Sequence, residues 1–292
     1  MRNLRDNTVK TQRGILSMLL ASKINAVKKI IWMLPLIFLQ SCDTLFEYHP
    51  YDGKVAGETN INSKNIKRIE KICAGKTIIR FIMTGDTQRW YDETEKFVAA
   101  VNKRDDIDFV IHGGDISDFG LTNEFMWQRD ILNGLKIPYV VLLGNHDCLG
   151  TGEYVFREIF GKENFSFTAG DVKFLCLNTN ALEYDYSHPV PDFGFLEDEL
   201  NANMPDYLKT VVAMHAPPYS EQFNNNVAEM FQQNVKRFPE LQFCIYAHVH
   251  NLNAEDIFKD GVMYYSSASI EKHNFLIFTI TPDGYTYEKV DF

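Results

Sequence analysis

The sequence predicts an α/β fold. Apolar runs alternate with stretches of helical periodicity through the first half of the chain, placing strands at 77–83, 109–112 and 139–143 and helices at 93–102 and 122–135. Each of these apolar runs stops abruptly at a turn that carries both glycine and polar side chains. Strand, helix, strand, helix, strand predicts a right-handed parallel sheet with its loops gathered at one edge, where such sheets bind ligands. At 292 residues, 45% hydrophobic and 23% charged, the chain can bury one core of about 250 residues.

The first strand ends in Thr84-Gly-Asp-Thr-Gln-Arg89, and the helix after it spaces Phe97, Val98 and Val101 along one face. The second ends in Gly113-Gly-Asp-Ile-Ser-Asp118. The helix at 122–135 buries Phe125, Met126, Ile131, Leu132 and Leu135. The third strand halts at Gly144, which can take backbone angles other residues avoid, and then presents Asn145, His146 and Asp147 in succession. A hairpin is expected at 165–168 and 172–177, a helix at 193–204, and a strand at 210–214 ending in His215-Ala-Pro-Pro-Tyr219. A helix at 227–238 leads to a strand at 241–246 ending in Ala247-His-Val-His250, and strands at 263–266, 275–281 and 285–290 close the chain.

Five strand ends thus carry polar groups: Asp86 with Gln88, Asp115, Asn145 with His146, His215, and His248 with His250. Four of the eight histidines fall here. Taken singly, Asp86, Asp115 and Asp147 are ordinary turn residues. His248 and His250 are two apart on an extended segment and so face one side. Taken together, carboxylate, amide oxygen and imidazole without thiolate are donors for divalent Mn, Fe or Zn. The groups outnumber the needs of one tetrahedral ion, so two ions sharing a carboxylate is the economical reading.

In this order Gly85-Asp86, Gly114-Asp-Ile-Ser-Asp118, Gly144-Asn-His-Asp147, His215 and Ala247-His-Val-His250 resemble the motifs of the calcineurin-like metallophosphoesterases, across residues 78–250. The resemblance implies a sandwich of mixed β-sheets flanked by helices. It implies hydrolysis of a phosphomonoester or phosphodiester by a metal-activated water at a dinuclear centre. Asp86 and His250 would hold one ion, Asn145, His215 and His248 the other, and Asp115 both. His146 would stand near the leaving-group oxygen, with Asp147 or Asp118 to orient it. One departure is Asp86-Thr-Gln88 in place of Asp-x-His, where Gln88 offers an amide oxygen, a weaker ligand than imidazole. Another is Ala247 in place of glycine. Two other readings compete: a degenerate scaffold acting as a surface binding protein, and a single-metal hydrolase of non-phosphate bonds.

Around this constellation, His112 is expected beneath the site, Arg89, Trp90 and Tyr91 at its mouth, and residues 181–195, with Tyr184, Tyr186 and His188, as a loop that sets specificity. Cys176 and Cys244 lie in apolar runs and read as small core residues.

The amino terminus reads as an address. Lys28-Lys29 precede the uncharged run Ile30-Ile-Trp-Met-Leu-Pro-Leu-Ile-Phe-Leu39, too short to span a bilayer comfortably, and Leu39-Gln40-Ser41-Cys42 follows. This resembles a bacterial lipoprotein signal in which Cys42 is lipidated. Residues 1–42 are then a signal, with a possible start at Met18, 43–76 a polar tether and lead-in, and 77–292 the folded domain. The protein is expected to be exported and held by its lipid on a bacterial membrane, facing the periplasm or the cell surface. Of 29 basic residues, seven lie at or before Lys29, whereas only one of 39 acidic residues precedes Cys42. The acidic remainder is a poor match to nucleic acid and points to a small phosphorylated substrate reached through metal ions.

Overall fold

The computed structural model describes residues 49, 51–202 and 207–292. The expected signal, Met18, Cys42 and the last residues of the helix expected at 193–204 lie outside them. The chain divides into two units, Met1–His49 and Pro50–Phe292, and all the described residues but His49 belong to the second. Among the described residues no helix is long and apolar enough to cross a membrane.

In chain order the unit comprises α1 (Ile61–Cys73), β1 (Ile79–Thr84), α2 (Tyr91–Val101), β2 (Phe109–His112), α3 (Thr122–Leu132), β3 (Tyr139–Val141) and α4 (Gly152–Ile159). It continues with β4 (Phe165–Ala169), β5 (Val172–Leu177), α5 (Phe193–Asn201), β6 (Lys209–Met214), α6 (Ala228–Val235), β7 (Leu241–Tyr246), β8 (Asn253–Glu255), β9 (Met263–Ser266), β10 (Asn274–Thr281) and β11 (Gly284–Asp291).

Strands that are apolar on both faces need covering on both sides. On β1, Phe81 and Met83 enter one buried layer while Ile82 enters the opposite one. β1, β2 and β3 are parallel, as the alternation predicts. The sheet is nevertheless mixed. Its order is β11-β10-β1-β2-β3, with β10 antiparallel to β1 and β11 antiparallel to β10. A short turn between β10 and β11 can return the chain only antiparallel. The second sheet, β4-β5-β6-β7-β9-β8, is parallel in its middle and antiparallel at both edges.

The sheets pack face to face on an aromatic layer. Phe81 stacks on Phe109 and Phe278 at 5.4 Å each, Phe174 meets Phe81 edge-on at 5.1 Å, and Phe243 stacks on Phe278 at 4.7 Å. All five rings are fully buried, and each would cost roughly 3–5 kcal/mol if cut to alanine. Helices α2, α3 and α4 cover the outer face of the first sheet through Phe97, Phe125 and Phe156, and α5 and α6 cover the second through Leu196 and Phe231.

Two differences from the sequence reading matter. Residues 61–73, expected to belong to the polar tether and lead-in at 43–76, form α1, whose Ile69 and Cys73 are fully buried in the intersheet core. Its apolar positions are sparse, because it docks by amides. The Asn62 Nδ2 amide donates to the Val141 carbonyl at 2.8 Å, Val141 N donates back to Asn62 Oδ1 at 2.9 Å, and Asn65 Nδ2 donates to the Tyr139 carbonyl at 2.8 Å. These bonds occupy the free edge of β3, which would otherwise present unpaired backbone. Helix α4 was not anticipated, although Val155, Phe156 and Ile159 form its buried face at helical spacing.

Candidate metal centre

Six short loops meet where β1, β2, β3, β5, β6 and β7 end, and the residues that matter here are held in unusual backbone conformations. Asp86, Gln88, Asp115, His248 and His250 all have positive φ, between 35° and 69°, and make up half of the ten non-glycine residues that do so among the described residues. Such backbone is sparsely populated and costs of order 1–3 kcal/mol per residue, so it persists where the surroundings over-determine it. Glycine supplies the close approach: a Cβ on Gly144 would lie 2.1 Å from Asp115 N, and one on Gly114 2.7 Å from His215 Nδ1.

Two donor clusters form around Asp115. In one, carboxylate and imidazole atoms of Asp86, Asp115 and His250 lie within 4.8 Å of one another. Asp86 Oδ2 is buried with no hydrogen-bond partner. Burial, reinforced by the neighbouring charge of Asp115, pushes the Asp86 carboxyl well above its ordinary range. In the other, His215 Nε2 is 3.0 Å and His248 Nδ1 3.1 Å from Asn145 Oδ1, and His215 Nε2 is 3.5 Å from Asp115 Oδ1.

The protons in this second cluster are already committed. His215 donates from Nδ1 to the Gly113 carbonyl at 2.9 Å, and burial drives its pKa down to about 4, so the ring is neutral and Nε2 carries a bare lone pair. His248 donates from Nε2 to Glu221 Oε1 at 3.0 Å, leaving Nδ1 toward Asn145. His215 Nε2, His248 Nδ1 and Asn145 Oδ1 therefore converge on one region. That arrangement, with the orphaned oxygen on Asp86, fits divalent cations and is poorly satisfied by protein alone.

The remaining expected residues are placed as follows. His146 N donates to Asp115 Oδ1 at 2.9 Å, and His146 Nδ1 donates to the Asp118 carbonyl at 2.7 Å. Orientation of His146 thus falls to Asp118. Asp147, expected in the catalytic pair, is turned away: its fully buried carboxylate accepts from Ile116 N, Ser117 N, Ser117 Oγ and Gly144 N at 2.8–3.3 Å. It staples the β2 and β3 loops together, because four donors converge on it and none belongs to His146. Gln88 lies in the first cluster but directs its amide N–H to Asp115 Oδ2 at 3.2 Å, so as placed it tethers the shared carboxylate instead of offering it an oxygen rival. His112 lies beneath the site, donating to Thr87 Oγ1 at 3.0 Å and accepting from Gly114 N at 3.2 Å; burial lowers its pKa to about 3. At the mouth, the exposed Arg89 pairs with both Asp118 oxygens at 2.6–2.7 Å.

Glu221 was missed. Nothing in its local sequence marks it, since it stands in a loop six residues after His215 and meets His248 only through folding. A hydrogen-bonded carboxylate behind a ligand histidine fixes the ring's tautomer and orientation.

A two-sheet sandwich with a carboxylate-centred cluster of imidazole and amide donors at its strand ends is the framework of a metal-binding site. Residues 79–252 match the calcineurin-like phosphoesterase family, and the chain belongs to it. The family implies hydrolysis of phosphoric esters and the use of divalent metal ions. The chain is 27% identical over 171 residues to a 3′,5′-cyclic-nucleotide phosphodiesterase of Nostoc sp.; the alignment covers 54% of this chain and 62% of that protein. In fold it is similar to a dimetal phosphatase of Danio rerio, at 11% identity and a TM-score of 0.55 over 74% of this chain and 99% of the other. It is also similar to GAP50, the anchor in the inner membrane complex of Plasmodium, at 15% identity and a TM-score of 0.57 over 74% and 85%.

Proposed function

We propose that the protein hydrolyses a small phosphodiester or phosphomonoester at a dinuclear centre built on Asp115. The observation that supports this most is the pair of donor clusters that share the Asp115 carboxylate, one with the unpartnered Asp86 Oδ2 and the other with the imidazoles of His215 and His248 converging on Asn145 Oδ1. In this reading Asp86 and His250 hold one ion, Asn145, His215 and His248 the other, and Asp115 both. Two divalent cations, of the Mn, Fe or Zn kind, supply positive charge to the phosphate oxygens and acidify a water.

The chain's own residues do the rest. Asp115 sets the separation of the two halves and is itself held by His146 N and Gln88 Nε2. The carbonyl of Asp118 occupies His146 Nδ1, so Nε2 is the nitrogen that gives a proton to the departing oxygen as the phosphorus–oxygen bond breaks. Asp147 keeps the loops bearing Asp115 and Asn145 in one geometry. Similarity to a cyclic-nucleotide phosphodiesterase favours the diester within this reading.

Elemental analysis of the purified protein, with turnover of bis-p-nitrophenyl phosphate and p-nitrophenyl phosphate in added manganese, tests it. Two equivalents of metal with diester turnover is the expected result. Folded protein with neither metal nor turnover would replace it with a binding scaffold, and one equivalent would reduce the centre to a single ion.

The chain is further proposed to be exported and anchored through a lipid on Cys42. Mass spectrometry of the membrane fraction should find an acylated amino-terminal Cys42, and Cys42→Ser should not be acylated; an unmodified, uncleaved Cys42 would end this part of the reading.

A further inference from the structure

We infer that this enzyme has a dedicated pocket for the organic group of its substrate, shaped for a planar heteroaromatic group such as a nucleobase. The inference rests on the phosphoesterase reading and adds the substrate class to it.

A cavity of about 510 Å³ lies between two loops that leave the site-bearing edge of the second sheet. One wall comes from the loop after β5 and includes Tyr184, Tyr186 and His188; the other comes from the loop after β6 and includes Phe223, Asn224 and Asn226. The volume suits a small organic ligand. Both walls are rooted in the candidate centre. Asn180, where the first loop begins, donates from Nδ2 to the Leu143 carbonyl at 2.9 Å, two residues before Asn145. Tyr184 Oη lies 3.9 Å from Cys148 Sγ, two residues after His146. On the other wall Glu221 holds His248, and Ala181 N joins the two loops by donating to the Gln222 carbonyl at 2.8 Å. The two loops that wall the cavity are therefore anchored beside the centre, one against the segment that carries Asn145 and His146 and the other against His248.

The lining chemistry narrows the ligand. The Tyr184 and His188 rings stack at 5.0 Å with 28° between their planes, forming a flat platform. Tyr186 is 99% exposed, an aromatic side chain held in solvent beside that platform. Among the described residues, no hydrogen bond engages the side-chain amides of Asn224 or Asn226, which carry both donors and acceptors. Flat aromatic surfaces facing free amides recognise a group with a π-face and a hydrogen-bonding edge. An acyl chain would leave the amides unpaired, and a bare phosphate would leave the aromatic surfaces without a partner. An exposed ring loses little on closing over such a group, because aromatic side chains have few rotatable bonds.

The test uses the full-length metal-loaded enzyme with 3′,5′-cyclic AMP and methyl p-nitrophenyl phosphate as substrates, and adenosine 5′-monophosphate and inorganic phosphate as inhibitors. The wild type should prefer the cyclic nucleotide in kcat/KM and bind the nucleotide monophosphate at least tenfold more tightly than phosphate. Tyr186→Ala, which removes a base-stacking contact, and Asn224→Ala, which removes a hydrogen bond, should each lower that preference about tenfold. Circular dichroism of each variant guards against misfolding. Equal loss on both substrates, or no loss on either, would overturn the pocket. A wild type that hydrolyses methyl p-nitrophenyl phosphate with no preference for the nucleotide would overturn the ligand class. A wild type that hydrolyses no ester at all would instead defeat the phosphoesterase reading beneath it.

Discussion

His146 carries the sharpest prediction at the scale of single residues. Its backbone N–H touches Asp115 and its ring is held by the Asp118 carbonyl, yet it belongs to neither donor cluster. His146→Ala should retain both metal equivalents by elemental analysis while losing roughly 10²–10⁴ in kcat on esters with poor leaving groups, the scale of general-acid help. Loss of metal along with turnover would make it a ligand. Glu221→Ala should act in the opposite sense. It releases the His248 ring, so metal affinity measured by titration calorimetry should fall roughly 10–100-fold, with Glu221→Gln recovering part of it. Unchanged affinity in Glu221→Ala would make the contact an ordinary surface pair. Much of this site was legible in the sequence, because Asp86, Asp115, Asn145, His215, His248 and His250 each end an apolar run. The direction of Asp147 was not. An Asn-His-Asp triplet looks like a catalytic pair with its orienter, but a one-residue step along a tight turn sends the last side chain to the opposite side, into Ile116 and Ser117.

Among the elements, α1 and β3 depend on each other. β3 is the edge of the first sheet, and it is the strand that delivers Asn145. Asn62 gives and receives one hydrogen bond at Val141, standing in for the missing neighbour strand. Asn62→Leu should cost on the order of 2–4 kcal/mol in urea unfolding, because two buried backbone groups lose their partners. Retained stability would mean that water replaces them. The polar character that made residues 61–73 look like tether is the character that binds a strand edge: amides dock there through hydrogen bonds, and a hydrophobic pattern has little to register. β10 was recognised as a strand but not as the partner of β1, because pairing between segments almost 200 residues apart leaves no local trace.

For the whole molecule, two carboxylates and three imidazoles are gathered at one edge. Binding of divalent ions should therefore stabilise the fold as well as activate it. A chelator-treated sample should melt lower than the loaded enzyme, and manganese at 100 times its dissociation constant should restore about 2.7 kcal/mol. An unchanged melting temperature would mean that the clusters bind no manganese. Ile61, Ile69 and Cys73 of α1 are buried in the core of this same body. A chain beginning at residue 77 should accordingly express as aggregate or melt far below one beginning at residue 51; equal melting temperatures would show α1 to be dispensable.

The sequence by itself determined the alternation of strand and helix, the edge at which the chemistry gathers and nearly every donor there, because these follow from local periodicity and from where apolar runs stop. Only the tertiary structure decided how each sheet mixes parallel with antiparallel pairs, that the Asp118 carbonyl orients His146 while the Asp147 carboxylate staples two loops, and that Glu221 stands behind His248. Those outcomes depend on contacts between residues far apart in the chain and on positive-φ backbone that the surrounding fold imposes. No local pattern of residues encodes either.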